Sequence, residues 1–311
     1  MTVSKEMILL NAIFPIAVLL ACGRFLRAFR IVDDAFLATS DKLVYYFFFP
    51  AMLFWKIGGA AGGQEIQQLS LCLAAVLAVL AVFLISLLAI RLFGIGPFQA
   101  GTFSQACYRF NSYIGMALVM TILGDDGVRS FGLLIGFVIP LINVLSVSTL
   151  IWFSSEKKGT AETLTSLLKA LILNPLILAC AAGVAFSQSN LVFLPFVDNT
   201  LSLMTAAAMP LALVSIGGSL KFSEFRSHTR WSLMAALIKI LVLPVVGFVL
   251  LNRFSVSGTQ FTVGMIFFSL PTSTAIYILS SQMNSDTRLA SAAIVISTLL
   301  SFLPLSIVIL I

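Results

Sequence analysis

Apolar stretches of roughly 20 residues recur from one end of the chain to the other, separated by short polar turns. A stretch of that length matches a helix crossing the hydrocarbon core of a bilayer. The pattern predicts ten such spans, at approximately 7–27, 40–58, 69–93, 98–123, 128–153, 166–188, 196–218, 231–252, 259–282 and 288–310. Two of them are interrupted by polar residues at corresponding places, one in each half. Span four reads Gln105-Ala-Cys-Tyr-Arg-Phe-Asn-Ser-Tyr-Ile-Gly115, and span nine reads Phe268-Ser-Leu-Pro-Thr-Ser-Thr-Ala-Ile-Tyr277. In hydrocarbon an unsatisfied backbone group costs several kcal/mol, so a helix breaks there only where it is buried in protein or lines a cavity.

The halves echo each other. Pro15 and Pro175, Pro50 and Pro210, and Gly58 and Gly218 are each 160 positions apart, and Asn111 stands against Pro271 at the same offset. The register then drifts: Val147-Ser-Thr-Leu150 resembles Ile296-Ser-Thr-Leu299 at an offset of 149. Five spans per half is odd, so a second copy enters the membrane from the opposite side and the repeats are inverted. The expected organisation is a first repeat over 1–153, a linker over 154–165 and a second repeat over 166–311.

Charge decides orientation. Loops after odd-numbered spans hold Arg24, Arg27, Arg30, Lys42, Arg91, Lys157, Lys158, Lys169, Lys221, Arg226, Arg230 and Arg288, while the other side holds Lys5, Lys56, Arg129 and Arg253. This asymmetry puts the odd loops in the cytoplasm and both termini outside it. Leu19-Leu-Ala-Cys22 faintly resembles a lipoprotein cleavage site, but the arginines that follow it mark a retained helix. No cytoplasmic tail is expected after the last span.

Composition agrees with a chain that is almost all membrane-embedded. It is 60% hydrophobic and 10% charged, with a mean hydropathy of +1.10, against about 25% charged in a typical soluble domain. The net charge of +6 sits in short loops and does not indicate nucleic-acid binding. Cys22, Cys72, Cys107 and Cys180 lie in apolar spans and read as small buried hydrophobes. His228 falls in a charged loop. No acid–base, nucleophile–base or metal-ligand constellation is present, so neither an enzyme nor a resident metal or cofactor is expected.

The broken spans carry the candidate chemistry. Thr102, Gln105, Arg109 and Ser112 share one face if the helix is continuous there. Arg109 is the costliest residue in the membrane, and no Asp or Glu lies deep in any span to pair with it. Either a substrate anion is its partner, or it caps carbonyls or snorkels to water. Asn111, at the centre of the break, can bind substrate or satisfy freed backbone groups. Pro271 removes a backbone donor, and Thr272, Ser273 and Thr274 follow at the electropositive start of a half-helix, where they either bind an anion or repair the backbone. Lys239, about 14 Å into span eight, adds positive potential or snorkels. Asn143 and Ser148 on span five can line the same cavity. The run Tyr45-Tyr-Phe-Phe-Phe49 suggests a lipid- or subunit-facing surface.

At these residues the chain resembles the auxin efflux carrier family. The resemblance rests on Arg109-Phe-Asn-Ser-Tyr-Ile-Gly115, Asn174-Pro175, Ala208-Met-Pro-Leu-Ala-Leu213 with Gly217-Gly218, Leu270-Pro-Thr-Ser-Thr274 and Ile296-Ser-Thr-Leu-Leu-Ser301, and it covers essentially the whole chain. It implies an all-α polytopic fold of ten helices in two inverted five-helix repeats, with helices four and nine crossing at their breaks beside the substrate. Helices 1, 2, 6 and 7 would form a scaffold that often dimerises, and helices 3–5 and 8–10 a mobile domain moving like an elevator. By position, Asn111 corresponds to the family's crossover Asn and Pro271 to its second crossover Pro. The long cytoplasmic loop of the plant proteins is missing and no proline adjoins Asn111, which weighs against auxin and for a bacterial inner-membrane carrier. The expectation is secondary transport of a mono- or dicarboxylate of malonate or malate type, with coupling to protons, sodium or neither left open. A sodium-coupled symporter of bile-acid type, a channel and a membrane sensor are the alternatives.

Overall fold

The computed structural model describes residues 5–59, 65–154, 173–189, 191–220 and 229–310. Residues 155–165 of the expected linker 154–165, the start of span six and the basic residues Lys157, Lys158, Lys169, Lys221 and Arg226 lie outside them, as does His228. Among the described residues all regular structure is helical. The helices are α1 (Lys5–Ala28), α2 (Asp34–Leu43), α3 (Phe49–Gly58), α4 (Glu65–Phe93), α5 (Pro97–Tyr108), α6 (Ser112–Phe153), α7 (Pro175–Gln188), α8 (Pro195–Ser219), α9 (Thr229–Leu237), α10 (Leu243–Arg253), α11 (Gly258–Ser269), α12 (Ala275–Gln282) and α13 (Thr287–Leu310).

Among the described residues six helical stretches are long and apolar enough to cross a membrane: Leu10–Ala28, Ile66–Phe93, Pro97–Phe153, Pro195–Ser219, Arg230–Arg253 and Thr287–Leu310. The ten predicted spans fit the helices roughly. Spans four and five follow one another in α6 across a kink at Gly124, where the backbone leaves the helical region (φ 60°, ψ −148°). The positive φ of 60° there suits a residue with no Cβ. Span two starts early, at Asp34, because Asp33 caps it: its carboxylate accepts the Phe36 N–H at 2.8 Å.

Among the described residues two π-helical turns escape the hydropathy pattern: Val44–Phe48 joins α2 to α3, and Ile238–Val242 joins α9 to α10. Each is followed closely by a proline, Pro50 or Pro244. A proline has no N–H and crowds the carbonyl four residues back, and a widened turn relieves both problems.

The helices pack in two groups. Helix α1 lies along α8, and α3 packs on α7 and α8. The second group joins α5 to α6, α4 to α5, α6 and α10, α9 to α13, and α11 to α6. The α1–α8 contact is backbone against backbone. A Cβ on Gly217 would come within 2.0 Å of the Leu20 carbonyl oxygen, and one on Gly23 within 2.0 Å of that of Val214. Contact between the groups runs mainly through α1 against α6 and α13, and through α3 against α6. A polar tie marks one edge of it, Lys56 of α3 pairing with Asp125 of α6 at 2.7 Å; within the first group the Trp55 indole N–H donates to Asp198 of α8 at 2.7 Å.

Of the four cysteines, Cys72, Cys107 and Cys180 are buried as expected, whereas Cys22 is exposed on α1. The aromatic run is divided: Tyr46 and Phe47 face outward, while Phe49 is fully buried and Tyr45 half-buried.

Candidate functional site: two broken helices in contact

Helix α5 stops at Tyr108 because Arg109 turns extended (φ −65°, ψ 139°), and α6 restarts at Ser112 with Asn111 as its N-cap. The Asn111 carboxamide oxygen accepts the Tyr113 and Ile114 N–H groups at 3.1 and 3.2 Å. Two of the free donors of the new helix are thereby satisfied. Phe110 anchors the segment from the other side, its ring edge-on to Phe267 at 4.5 Å.

The second interruption separates α11, which ends at Ser269, from α12, which begins at Ala275. Thr274 makes no side-chain cap, and the Ser273 hydroxyl accepts the Ala275 N–H at 3.2 Å instead. The two interruptions touch. The Asn111 N–H donates to the Pro271 carbonyl at 2.9 Å, and the Thr272 hydroxyl donates to the Ala106 carbonyl at 3.0 Å. The Thr272 N–H in turn donates to Ser297 of α13 at 3.0 Å. Backbone groups that lost their helical partners therefore find new ones across the contact.

Arg109 lies at this junction. Its Nη2 donates to the Asn143 carboxamide oxygen at 3.1 Å, while Nη1 is buried and has no hydrogen-bond partner. Asn143, named as able to line the same cavity, is the hydrogen-bond partner of Arg109. Tyr45 and Tyr108 are close enough to interact electrostatically with the guanidinium, and the Tyr108 hydroxyl pairs with Ser146 at 3.2 Å. The sequence reading did not single out these two tyrosines. Tyr45 sits in an aromatic run that looks lipid-facing, and only its position on the π-helical turn brings it near the arginine.

The proposed common face of span four does not hold. It required an unbroken helix, and α5 ends before Arg109, so its four residues part company. Thr102 and Gln105 point to α12, where both engage Ser280, at 2.7 and 3.0 Å, and Thr102 also meets Ser285 at 2.8 Å. Gln105 keeps its Oε1 buried without a partner. Ser112 is half-buried at the start of α6. Lys239 does not snorkel: it is fully buried, and its Nζ donates to the Phe268 carbonyl at 3.2 Å. Ser148, expected to line the same cavity as Asn143, is instead exposed on α6. Among the described residues no group of three or more His, Cys, Asp or Glu side chains could hold a metal ion.

The long apolar helices and the polar junction inside them define a multi-pass membrane protein of the transport class. A family model described as membrane transport protein matches residues 8–309. The chain belongs to that family, the auxin efflux carrier family that its motifs resemble. It is 21% identical over 302 residues to an uncharacterized transporter of Methanocaldococcus jannaschii, covering 96% of both chains. It is 24% identical over 303 residues to an uncharacterized transporter of Methanothermobacter thermautotrophicus, covering 95% of both. Both relatives are archaeal, and transporters are generally not enzymes.

Proposed function

We propose that the protein is a secondary transporter of a small organic anion, a carboxylate of malonate or malate type, bound where the two broken helices meet. The observation that carries this reading is Arg109 Nη1, a buried cationic donor with no partner in the protein. An uncompensated donor of this kind costs about 1–3 kcal/mol, and more when charged, and a carboxylate oxygen removes that cost with a charge-assisted bond. The Asn111 side chain spends its oxygen on the helix, so its NH2 is the group left to address substrate. The N-termini of α6 and α12 add positive potential, with Ser112, Ser273 and Thr274 around them. Lys239 contributes its charge from behind the end of α11, while Gln105, Pro271 and Thr272 hold the junction in shape.

In this reading the ten spans form two inverted repeats, odd loops lie in the cytoplasm and both termini lie outside it. The group containing α1, α2, α3, α7 and α8 is the scaffold, and also the surface through which the carrier dimerises. The remaining helices carry the substrate across as an elevator. The division of the packing into two groups and the backbone-to-backbone α1–α8 contact support it. The test is uptake of radiolabelled malonate and malate into proteoliposomes. Saturable flux is expected, and either acid should raise the melting temperature of the purified protein, since it binds only the folded state. Folded Asn111→Ala and Arg109→Gln variants that transport like the wild type would sink the site assignment.

A further inference from the structure

Helix α2 turns one carboxyl group inward. Asp41 stands just before the π-helical turn Val44–Phe48 and is half-buried against α8. Its Oδ1 lies 2.5 Å from the hydroxyl oxygen of Ser215, which is buried and also lies 3.1 Å from the Leu37 carbonyl oxygen. A serine hydroxyl has one proton and two lone pairs. With Asp41 ionised, that single proton faces two acceptors and one contact is left incomplete. With Asp41 protonated, the carboxyl donates to Ser215 and Ser215 donates to Leu37, so both contacts are full hydrogen bonds. The arrangement therefore suits a neutral Asp41.

The charged neighbours do not oppose this. The ion pairs among the described residues, Arg27 with Asp34 and Lys56 with Asp125, do not include Asp41. On α2 itself Lys42 is exposed, and Asp34 stands at the opposite end of the helix. On α8 the ionisable side chain is Asp198, near the far end and held by Trp55. The π-helical turn adds Tyr45 and an exposed Tyr46.

Across the boundary between the two packing groups, Tyr113 of α6 is close enough to interact electrostatically with Asp41 and with Tyr45, and Tyr45 interacts in the same way with Arg109. The Phe49 ring meets Tyr113 edge-on at 5.1 Å. Asp41, Tyr45 and Phe49, four residues apart in turn, thus line the face of the first group that meets the start of α6. The Tyr113 N–H is the one held by Asn111. A carboxyl group of the first group therefore looks toward the junction that carries Arg109 and Asn111.

We infer that Asp41 is a protonation site that sets the affinity of the junction for its anion: neutral, it admits a carboxylate, and ionised, it repels one. The inference rests on the junction being the transport site and names the group through which pH acts on it. When the anion enters a protein whose Asp41 is ionised, one proton passes from solvent to the Asp41 carboxylate, and no other bond forms or breaks. Linkage makes the effect reciprocal, so bound anion holds the proton on Asp41 as firmly as the proton favours the anion. Affinity is highest while Asp41 keeps its proton and falls as rising pH removes it.

Two measurements on the purified full-length protein test this. Infrared spectra without substrate should show a protonated-carboxyl band that weakens as pH rises and is missing from Asp41→Asn. Calorimetric titration with malonate from about pH 6 to about pH 8, in buffers of differing ionisation enthalpy, reads affinity and proton uptake together. Wild-type affinity should fall about tenfold more than that of Asp41→Asn over this range, the effect of one like charge near the site. Proton uptake at the upper end should be larger for the wild type. Ionisation of malonate itself is common to both proteins and cancels.

If Asp41→Asn loses no carboxyl band, or follows the wild-type pH profile, the inference is overturned and Asp41 only ties α2 to α8. If Asp41→Asn cannot be purified, Asp41→Ser takes its place under the same criteria. The infrared measurement needs no substrate. A protein that binds no malonate therefore refutes the proposed cargo, while the carboxyl band still decides whether Asp41 holds a proton.

Discussion

The two interruptions are built from different materials. At Arg109–Asn111 the helix is restarted by a side chain, the Asn111 carboxamide, and a charged donor is left over. At Leu270–Thr274 the start of α12 has no cap from its N-cap residue, and the hydroxyls of Thr272 and Ser273 are turned to backbone groups. One break displays donors and the other consumes its polar groups in repair. A proline at one position and an arginine with an asparagine at the other therefore give a junction with an uncompensated positive side. If the two halves are the proposed inverted repeats, their corresponding breaks do not share the same work.

Four substitutions test this contrast. Asn111→Ala should have the largest effect. It removes the cap of a buried helix start, worth about 1–2 kcal/mol, together with the amide assigned to substrate, so the melting temperature falls and malonate flux is lost. Arg109→Gln should leave the melting temperature close to that of the wild type and weaken malonate binding by the worth of a charged hydrogen bond. That is about 1.5–3 kcal/mol, or roughly ten- to a hundredfold in the concentration giving half-maximal flux. A variant with unchanged affinity would move Arg109 from the donor side of the comparison to the repair side.

Thr272→Val should do the reverse. It strips the buried Ala106 carbonyl of its partner at a cost of about 1–2 kcal/mol, lowering the melting temperature while affinity stays near the wild-type value. Ser273→Ala is the mildest, about 0.5 kcal/mol, because only one N–H at the helix start loses its acceptor and water can replace it. A large loss of affinity here would mean that the second break also binds cargo directly.

Much of this was legible in the sequence. Arg, Asn and Pro inside apolar spans announce the breaks, because hydrocarbon tolerates them only where the backbone is otherwise supported. Which break does what was not legible, since a hydroxyl facing a ligand and one facing a carbonyl are the same letter. The fate of Thr102 and Gln105 shows this. Their spacing puts them on a face with Arg109, and the end of α5 at Tyr108 hands them to Ser280 instead. The π-helical turns were hidden for another reason. Adding one residue to a turn leaves an all-apolar stretch apolar, yet it re-aims Tyr45 and Lys239, the two side chains whose neighbourhoods hydropathy did not suggest.

The contact of α1 with α8 has a mechanical consequence. Where Gly217 lies against the Leu20 carbonyl, main chain meets main chain with no side chain between to deform. Such a joint transmits force but does not slip, because moving it along the helix would drive a larger residue into a space that admits none. The crevice between α1 and the other group is different, lined by Ile13, Ile16, Ile114, Leu118 and Phe302, chains that can change rotamer. In the proposed elevator motion, displacement between the two groups would be taken up by this compliant apolar seam, with the welded pair as its fixed rail.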